Sequence, residues 1–377
     1  MANEVRFELA VLGAGPAGLA AALRASRRGL RVLVLGKPRR SHAGFGESLS
    51  PGARSVLQEL GAWSGFEAGG HLPCPGYLHS WGSSELSHHS FTTDPRGHAW
   101  HLDRPRFEAG LARDASEAGA VIATVRASPH LSPGQQQGST WRIDYNRRDG
   151  TAYALAGTII DASGPGARWA HQLGSRRILH APQFATVARM TSSTGGISER
   201  CSLVESTPDG WWYSALLPDS ALVLAYFSSQ RLSNPARWDR CLRSTIHVRQ
   251  RVESAGYCLD GRLRTVSACS EHLEPVAGVG WRAAGDAALT HDPIAAHGIM
   301  FALLSGRDAA DSLIDEAAGQ TDAAAQYTRL VTSARERYLK ARDQIYSAEQ
   351  RFADAPYWAA RCSRARSRQP LRPVATQ

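Results

Sequence analysis

Apolar and polar positions divide the chain into recognisable elements from its first residues. Phe7, Leu9, Val11 and Leu12 make a short apolar run that stops at Gly13; "GAGPAGLAAALRASRRG" has helical composition and closes on Gly29; "LRVLVLG" is then rich in leucine and valine. This order reads as strand, glycine turn, helix, strand. Further on, "SALVLAYFSS" alternates as a half-buried strand does. From Thr321 to about Ala360, apolar residues such as Tyr327, Leu330, Val331, Tyr338 and Ile345 recur near helical periods. The stretch "ASPHLSPGQQQGSTW", 127 to 141, reads as an exposed hairpin tip.

Between a strand and a helix, Gly13-x-Gly15-x-x-Gly18 acquires a physical meaning. The first glycine permits a tight turn, the second lets a pyrophosphate approach the backbone, and the third lets helix and strand pack closely. Unpaired N–H groups and the helix dipole then face the phosphates. An acid commonly ends the second strand to bond the adenosine ribose, but here Gly36 stands in that place, in "VLVLGKPRR". Its absence either weakens adenosine binding or leaves Lys37, Arg39 and Arg40 to contact ribose, adenine or phosphate.

Composition narrows the classes. With 377 residues and 43% apolar content, the chain can bury one large core or two joined ones. The formal charge of +9 rests almost wholly on arginine, Lys37 and Lys340 being the only lysines, and no long basic run marks a nucleic-acid surface. Part of the excess lies in residues 361–377, which read as a basic flexible tail. The six cysteines lack C-x-x-C spacing, so neither a zinc knuckle nor a disulfide framework is expected. His88, His89, His98 and His101 have no matching acidic or cysteine set, so no metal is expected. There is no leader pattern and no apolar run of membrane-spanning length; the expectation is a soluble cytoplasmic protein.

Two later blocks carry the reading to a family. A strand ends in Asp161-Ala-Ser-Gly164, and another leads to Gly285-Asp286, then Asp292-Pro293, then a helix opening around His297-Gly298-Ile299. With the glycine triplet, these resemble the three ordered fingerprints of the FAD-dependent hydroxylase superfamily, the fold of p-hydroxybenzoate hydroxylase, over about half of the chain. The resemblance implies an α/β fold: a Rossmann-type FAD-binding domain built from 1–73, 100–170 and 268–320, with an inserted, mainly antiparallel β substrate domain from 74–99 and 171–267. A C-terminal helical region, 321–360, either covers the substrate entrance or only packs on the FAD domain. The cofactor implied is FAD, with Asp286 on a ribityl hydroxyl, Pro293 in the adjoining loop and Arg104 as a flavin contact. The backbone at Gly298 and Ile299 would open a helix whose positive end faces the flavin N1–C2=O edge.

Gly46-Glu47-Ser48-Leu49-Ser50-Pro51 resembles the strap segment of one branch of this superfamily, that of flavin-dependent halogenases and tryptophylquinone-maturing flavoproteins. By resemblance it lies along the flavin, with Glu47 and Ser48 as cofactor contacts; Ser50 and Pro51 also suit the first turn of a helix. Gly210 to Pro218 is similar to a halogenase signature but two residues longer, with Tyr213 in place of a tryptophan. Trp211, Trp212 and Tyr213 then either face substrate or build a β layer. Halogenases of the branch use a lysine some thirty residues beyond the strap, and "GGHLPCPGYLHSWGSSEL" contains none. Hydroxylation through a flavin C4a-hydroperoxide needs no such lysine. Glu47, His291, Asp292 and His297 are the candidate acid–base groups beside the flavin, with Glu47, His291 and His297 as the catalytic set.

The resemblance thus implies an FAD-dependent monooxygenase acting on an indole-like group, with tryptophan in a peptide or partner protein as the leading substrate. Flavin reduction would come from an external reductase or NAD(P)H. The alternatives are a hydroxylase of a free aromatic metabolite, a halogenase, and a non-catalytic flavin-bound assembly protein.

Overall fold

The computed structural model describes residues 6–37, 48–133, 140–147, 150–232 and 234–368. The chain divides into two compact units: 1–73, 94–180 and 270–335 form one, and 74–93, 181–269 and 336–377 the other.

The first unit is built on a twisted sheet whose central strands are parallel. Their order is Trp281–Ala283, Gly150–Asp161, Arg6–Leu12, Val32–Gly36, Val121–Thr124. Val32–Gly36 is buried along its whole length, as expected of a strand covered on both faces. Register aligns the strand ends: Leu12 lies opposite Leu35 on one side and Asp161 on the other, and Asp161 lies opposite Ala283. The loops after Leu12, Asp161 and Ala283, which carry the three sequence fingerprints, therefore leave the same edge of the sheet. That edge, at the point where strand order reverses, is where open α/β sheets hold ligands. The hairpin pairs His130–Pro133 with Trp141–Arg147, and its tip, 134–139, lies outside the described residues.

Two helices packed on this sheet approach each other at very short range. Pro16–Arg27 is buried along most of its length, which its alanines permit, and it packs on Gly298–Ala317. At Gly306 a Cβ would stand 2.1 Å from the Ala17 carbonyl oxygen. No side chain is tolerated at that crossing.

The second unit is a mainly antiparallel sheet in the order Tyr257–Leu259, Phe184–Ser192, Leu222–Ser228, Gly210–Leu216, Ser202–Thr207, Gly76–Ser80, Ser87–Ser90. The helix Pro235–Arg243, capped by the Asn234 side chain, sets Trp238 against one face.

In the region expected to be helical at 321–360, the helix Ala323–Ala348 begins in the first unit and ends in the second. The flexible tail expected at 361–377 is helical as far as Arg368, because Pro356–Arg368 starts at a proline suited to a first helical turn and runs on; 369–377 lie outside the described residues.

Replacing Gly306 with alanine should force the two helices apart and cost about 1–3 kcal/mol, as overpacking does. Chemical denaturation of the variant beside the parent checks this.

Candidate flavin site

The glycine turn gives each of its three glycines a distinct task. Gly13 has φ +112°, and a Cβ there would lie 2.1 Å from the Ala162 carbonyl oxygen, so the turn is pressed against the end of a neighbouring strand. Gly18 faces the Gly13 carbonyl, which a Cβ would approach to 1.9 Å. Gly15 differs: it precedes the helix at φ −88°, ψ −177°, a conformation any residue adopts, and among the described residues nothing beyond its chain neighbours lies within 4 Å of where its Cβ would be. The first and third glycines are required by the protein itself, and the second leaves open space at a helix N-terminus, the place a pyrophosphate would take.

Gly36 also has a steric cause. A Cβ there would stand 2.5 Å from the Ala14 Cβ, inside the glycine turn, so the acid usual at this strand end is excluded by Ala14. Lys37 follows it as an exposed residue.

The second fingerprint is organised by Asp161. Its Oδ1 accepts from Ser163 N at 2.9 Å, and its Oδ2 accepts from Trp169 N at 2.8 Å and Ala170 N at 2.9 Å, so the carboxylate caps the short helix Arg168–Gln172. The third is fixed from the long helix: Ser305 Oγ accepts from Gly285 N at 2.8 Å, and Gly285 takes φ +59° with no room for a Cβ beside Ala17. Asp286 is then presented outward, exposed at its surface yet densely surrounded by protein. Crowding pushes its pKa up, against the pull of Arg104 and Arg177. Arg104 thus lies in the same electrostatic neighbourhood as Asp286, while its Nε is held by Glu108 Oε1 at 2.6 Å.

Arg177 was not singled out in the sequence. Its Nη2 donates to the carbonyls of Asp286 at 2.5 Å and Ala287 at 3.2 Å, and it reaches Gly164 at 3.5 Å, stapling the second and third loops together. Burial lowers its pKa, opposed by Glu271, Asp286 and Asp161. Nothing in "SRRILHA" separates it from Arg176 except which way the strand faces.

Asp292 caps the turn Pro293–Ala295 by accepting from Ile294 N at 3.1 Å, and Ala296 follows at φ +49°, a left-handed backbone rare outside glycine. This tight corner aims Gly298 and buried Ile299 as the first residues of a helix of 20, whose leading N–H groups have no partner within the helix. Among the described residues, no atom beyond its chain neighbours and its own helix backbone lies within 4 Å of where a Gly298 Cβ would be.

His291 and His297 are close enough to interact. Burial, reinforced by His297, pushes the His291 pKa down to about 3, and its ring packs on Phe301 at 4.8 Å. Burial also lowers His297, which remains accessible. Ser48 lies in the strand Ser48–Leu49, opposite His101; Glu47 lies outside the described residues. The helix beyond the strap starts at Ala53 with Gly52 at its cap, so Ser50 and Pro51 precede its first turn and do not form it.

Of the two roles open to the aromatic trio, facing substrate or building a β layer, the packing of Trp211 and Trp212 suits the second: both are fully buried on opposite faces of a strand. Trp211 stacks on Phe227 at 3.9 Å and donates to Tyr346 Oη, and Trp212 packs with Tyr226 and Trp238. Tyr213 is half-buried. The second unit needs these indoles for its own core. Among the described residues no His, Cys, Asp and Glu cluster could hold a metal, and no helix is long and apolar enough to cross a membrane.

The fold is that of the flavin-dependent halogenases and monooxygenases, and the sequence matches make the chain an FAD-dependent oxidoreductase. Residues 8–54 match the FAD binding domain family. Over 364 residues the chain is 26% identical to the FAD-dependent oxidoreductase LodB of Marinomonas mediterranea, covering 94% of this chain and 96% of that one. Further relatives at similar identity are flavin-dependent halogenases. Among solved structures, the flavin-dependent halogenase CmlS superposes with a TM-score of 0.82 at 21% identity, over 95% of this chain and 68% of its own. QhpG, described as a peptidyl tryptophan dihydroxylase essential for tryptophylquinone cofactor biogenesis, gives 0.74 at 24% identity, over 95% and 79%. The residues at the sheet edge suit FAD: among the described residues Gly15 and Gly298 leave room beside two helix N-termini, and exposed Asp286 lies within the electrostatic reach of Arg104 and Arg177.

Two outcomes are expected. Gly15→Val fills open space, so the apo protein should keep its melting temperature while FAD affinity falls about 10- to 100-fold, the 1–3 kcal/mol of a forced clash; flavin fluorescence titration reads this. His291 has a folded pKa far below its unfolded value near 6.5. The folded state therefore resists its protonation, and stability falls as pH drops from about 6.5 toward 3. His291→Asn should flatten the melting temperature over that window relative to the parent.

Proposed function

We propose that this oxidoreductase hydroxylates an indole-like aromatic group, and that its substrate is tryptophan within a peptide or partner protein. The observation that carries the choice of hydroxylation is the lysine-free stretch from 69 to 86: the only lysines are Lys37, beside the glycine turn, and Lys340, exposed on the helix Ala323–Ala348. The polypeptide substrate draws support from the likeness to QhpG.

In this reading Gly13, Gly15 and Gly18 shape the pyrophosphate cradle and Lys37 lies on the adenosine side. Ser48 and Glu47 belong to the strap over the flavin, Asp286 holds a ribityl hydroxyl with Arg104 beside it, and Pro293 shapes the corner. Gly298 and Ile299 direct the positive helix end to the pyrimidine edge, where it stabilises negative charge. Bound FAD, reduced by an external reductase or NAD(P)H, supplies the oxygen chemistry. Of the two histidines, accessible His297 is the better proton acceptor, because His291 at about 3 stays neutral and holds a proton too weakly to serve near neutrality.

The halogenase relatives favour a second reading, halogenation of a similar ring. One experiment separates them. With FAD, a flavin reductase, NADH, chloride and bromide, a tryptophan-containing peptide should gain oxygen on its indole by mass spectrometry; halogen incorporation would overturn hydroxylation, and turnover of free indoles alone would overturn the polypeptide substrate.

A further inference from the structure

A pocket of about 260 Å³ in the first unit shares no lining residue with the sheet-edge loops. Its wall is an aromatic corner: Trp63, Phe66 and Trp100 meet pairwise at 5.4 to 5.8 Å, with Phe66 edge-on to Trp100. The corner is assembled from the helix Trp63–Glu67 and the strand Ala99–His101, the strand that pairs with Ser48–Leu49. Its size is near the lower end of the ~300–1,000 Å³ typical of ligand sites and suits a single fused ring system.

The polar lining is rich in donors. The Arg54 guanidinium lies over the Trp63 ring at 5.0 Å, and among the described residues no carboxylate pairs with it. Arg96 also lines the pocket but is held by Asp94 at 2.7 Å. His71 accepts from Asp103 N at Nδ1, 3.2 Å, and burial holds its pKa down to about 4, so the neutral ring carries its proton on Nε2. That Nε2 is buried and makes no hydrogen bond among the described residues. His98, tilted against Trp100 at 4.8 Å, is also held below its usual pKa by burial and by Arg54. Among the described residues, Glu67 is the only carboxylate of the lining. A guanidinium without a carboxylate partner among the described residues calls for an acceptor-bearing ligand, and the cation position over Trp63 is already filled by Arg54.

The geometry points to a second ligand site here, one that takes a planar aromatic acid: the ring enters the Trp63, Phe66 and Trp100 corner and the carboxylate pairs with Arg54. The pocket adjoins the flavin region without being part of it. At Gly52, a Cβ would lie 3.5 Å from Met300 Cε, in the first turn of the long helix, and 3.9 Å from Arg96 Nη1.

The test is calorimetric titration of the FAD-saturated protein with indole-3-acetate, its neutral amide and tryptamine. The acid should bind saturably at one site, and the amide and the amine should bind about tenfold or more weakly, the effect of losing a charge-assisted hydrogen bond. Arg54→Gln, an exposed change, should weaken the acid by the same factor and leave the amide unchanged, and Arg54→Lys should restore part of the preference. No saturable binding of the acid, equal binding of tryptamine, or acid binding indifferent to Arg54→Gln would each overturn the assignment. None of these readouts depends on turnover, so loss of the hydroxylation reading would leave this result standing, and the reverse.

Discussion

Backbone against backbone at one residue, Ala17, is the contact on which the first unit depends. Gly306 meets its carbonyl and Gly285 meets its methyl, and one residue further along its helix Gly18 meets the carbonyl of Gly13, which is itself pressed on Ala162. Residues from 13 to 18, from 161 to 164 and from 285 to 306 are thereby locked at distances a single extra carbon would break. Close packing of this kind transmits position, because neither helix can shift without a clash. It explains why three loops far apart in sequence share one sheet edge to within the tolerance a dinucleotide demands.

Electrostatics complete what packing begins. Asp161 is spent on backbone N–H groups of its own loop and helix, and Arg177 crosses from the second loop to the third through carbonyl oxygens. Asp286, exposed at its surface, feels the charges of both Arg104 and Arg177.

The second unit uses a different device, buried carboxylates and amides with every oxygen occupied. Glu205 caps the helix His247–Ser254 through Ile246, His247 and Val248 N–H groups. Glu349 accepts from Gly82, Ser206 and Arg351; burial pushes its pKa up, and these donors outweigh burial and hold it below the usual range. Gln183 Oε1 accepts from Tyr357, Tyr346 and Arg361. These hubs tie strands to the C-terminal helices, and around them Trp81, Trp211 and Trp358 pack edge-on. Aromatic residues that resemble a substrate cage in sequence are consumed by this core.

The sequence by itself determined the strand, glycine turn and helix at 6–27, the order of the three fingerprints and the buried strand ending at Gly36, because these follow from local periodicity and from conformations that only glycine adopts. FAD was legible for the same reason. Only the tertiary structure decided why Gly36 replaces an acid, since the obstacle is the Ala14 methyl across the turn. It also decided that Arg177 and not Arg176 joins the loops, that Trp211 and Trp212 face inward, and that Trp63, Phe66 and Trp100 enclose a pocket. Those outcomes depend on which face of an element is covered by residues distant in the chain, and periodicity along one segment carries no information about what lies opposite it.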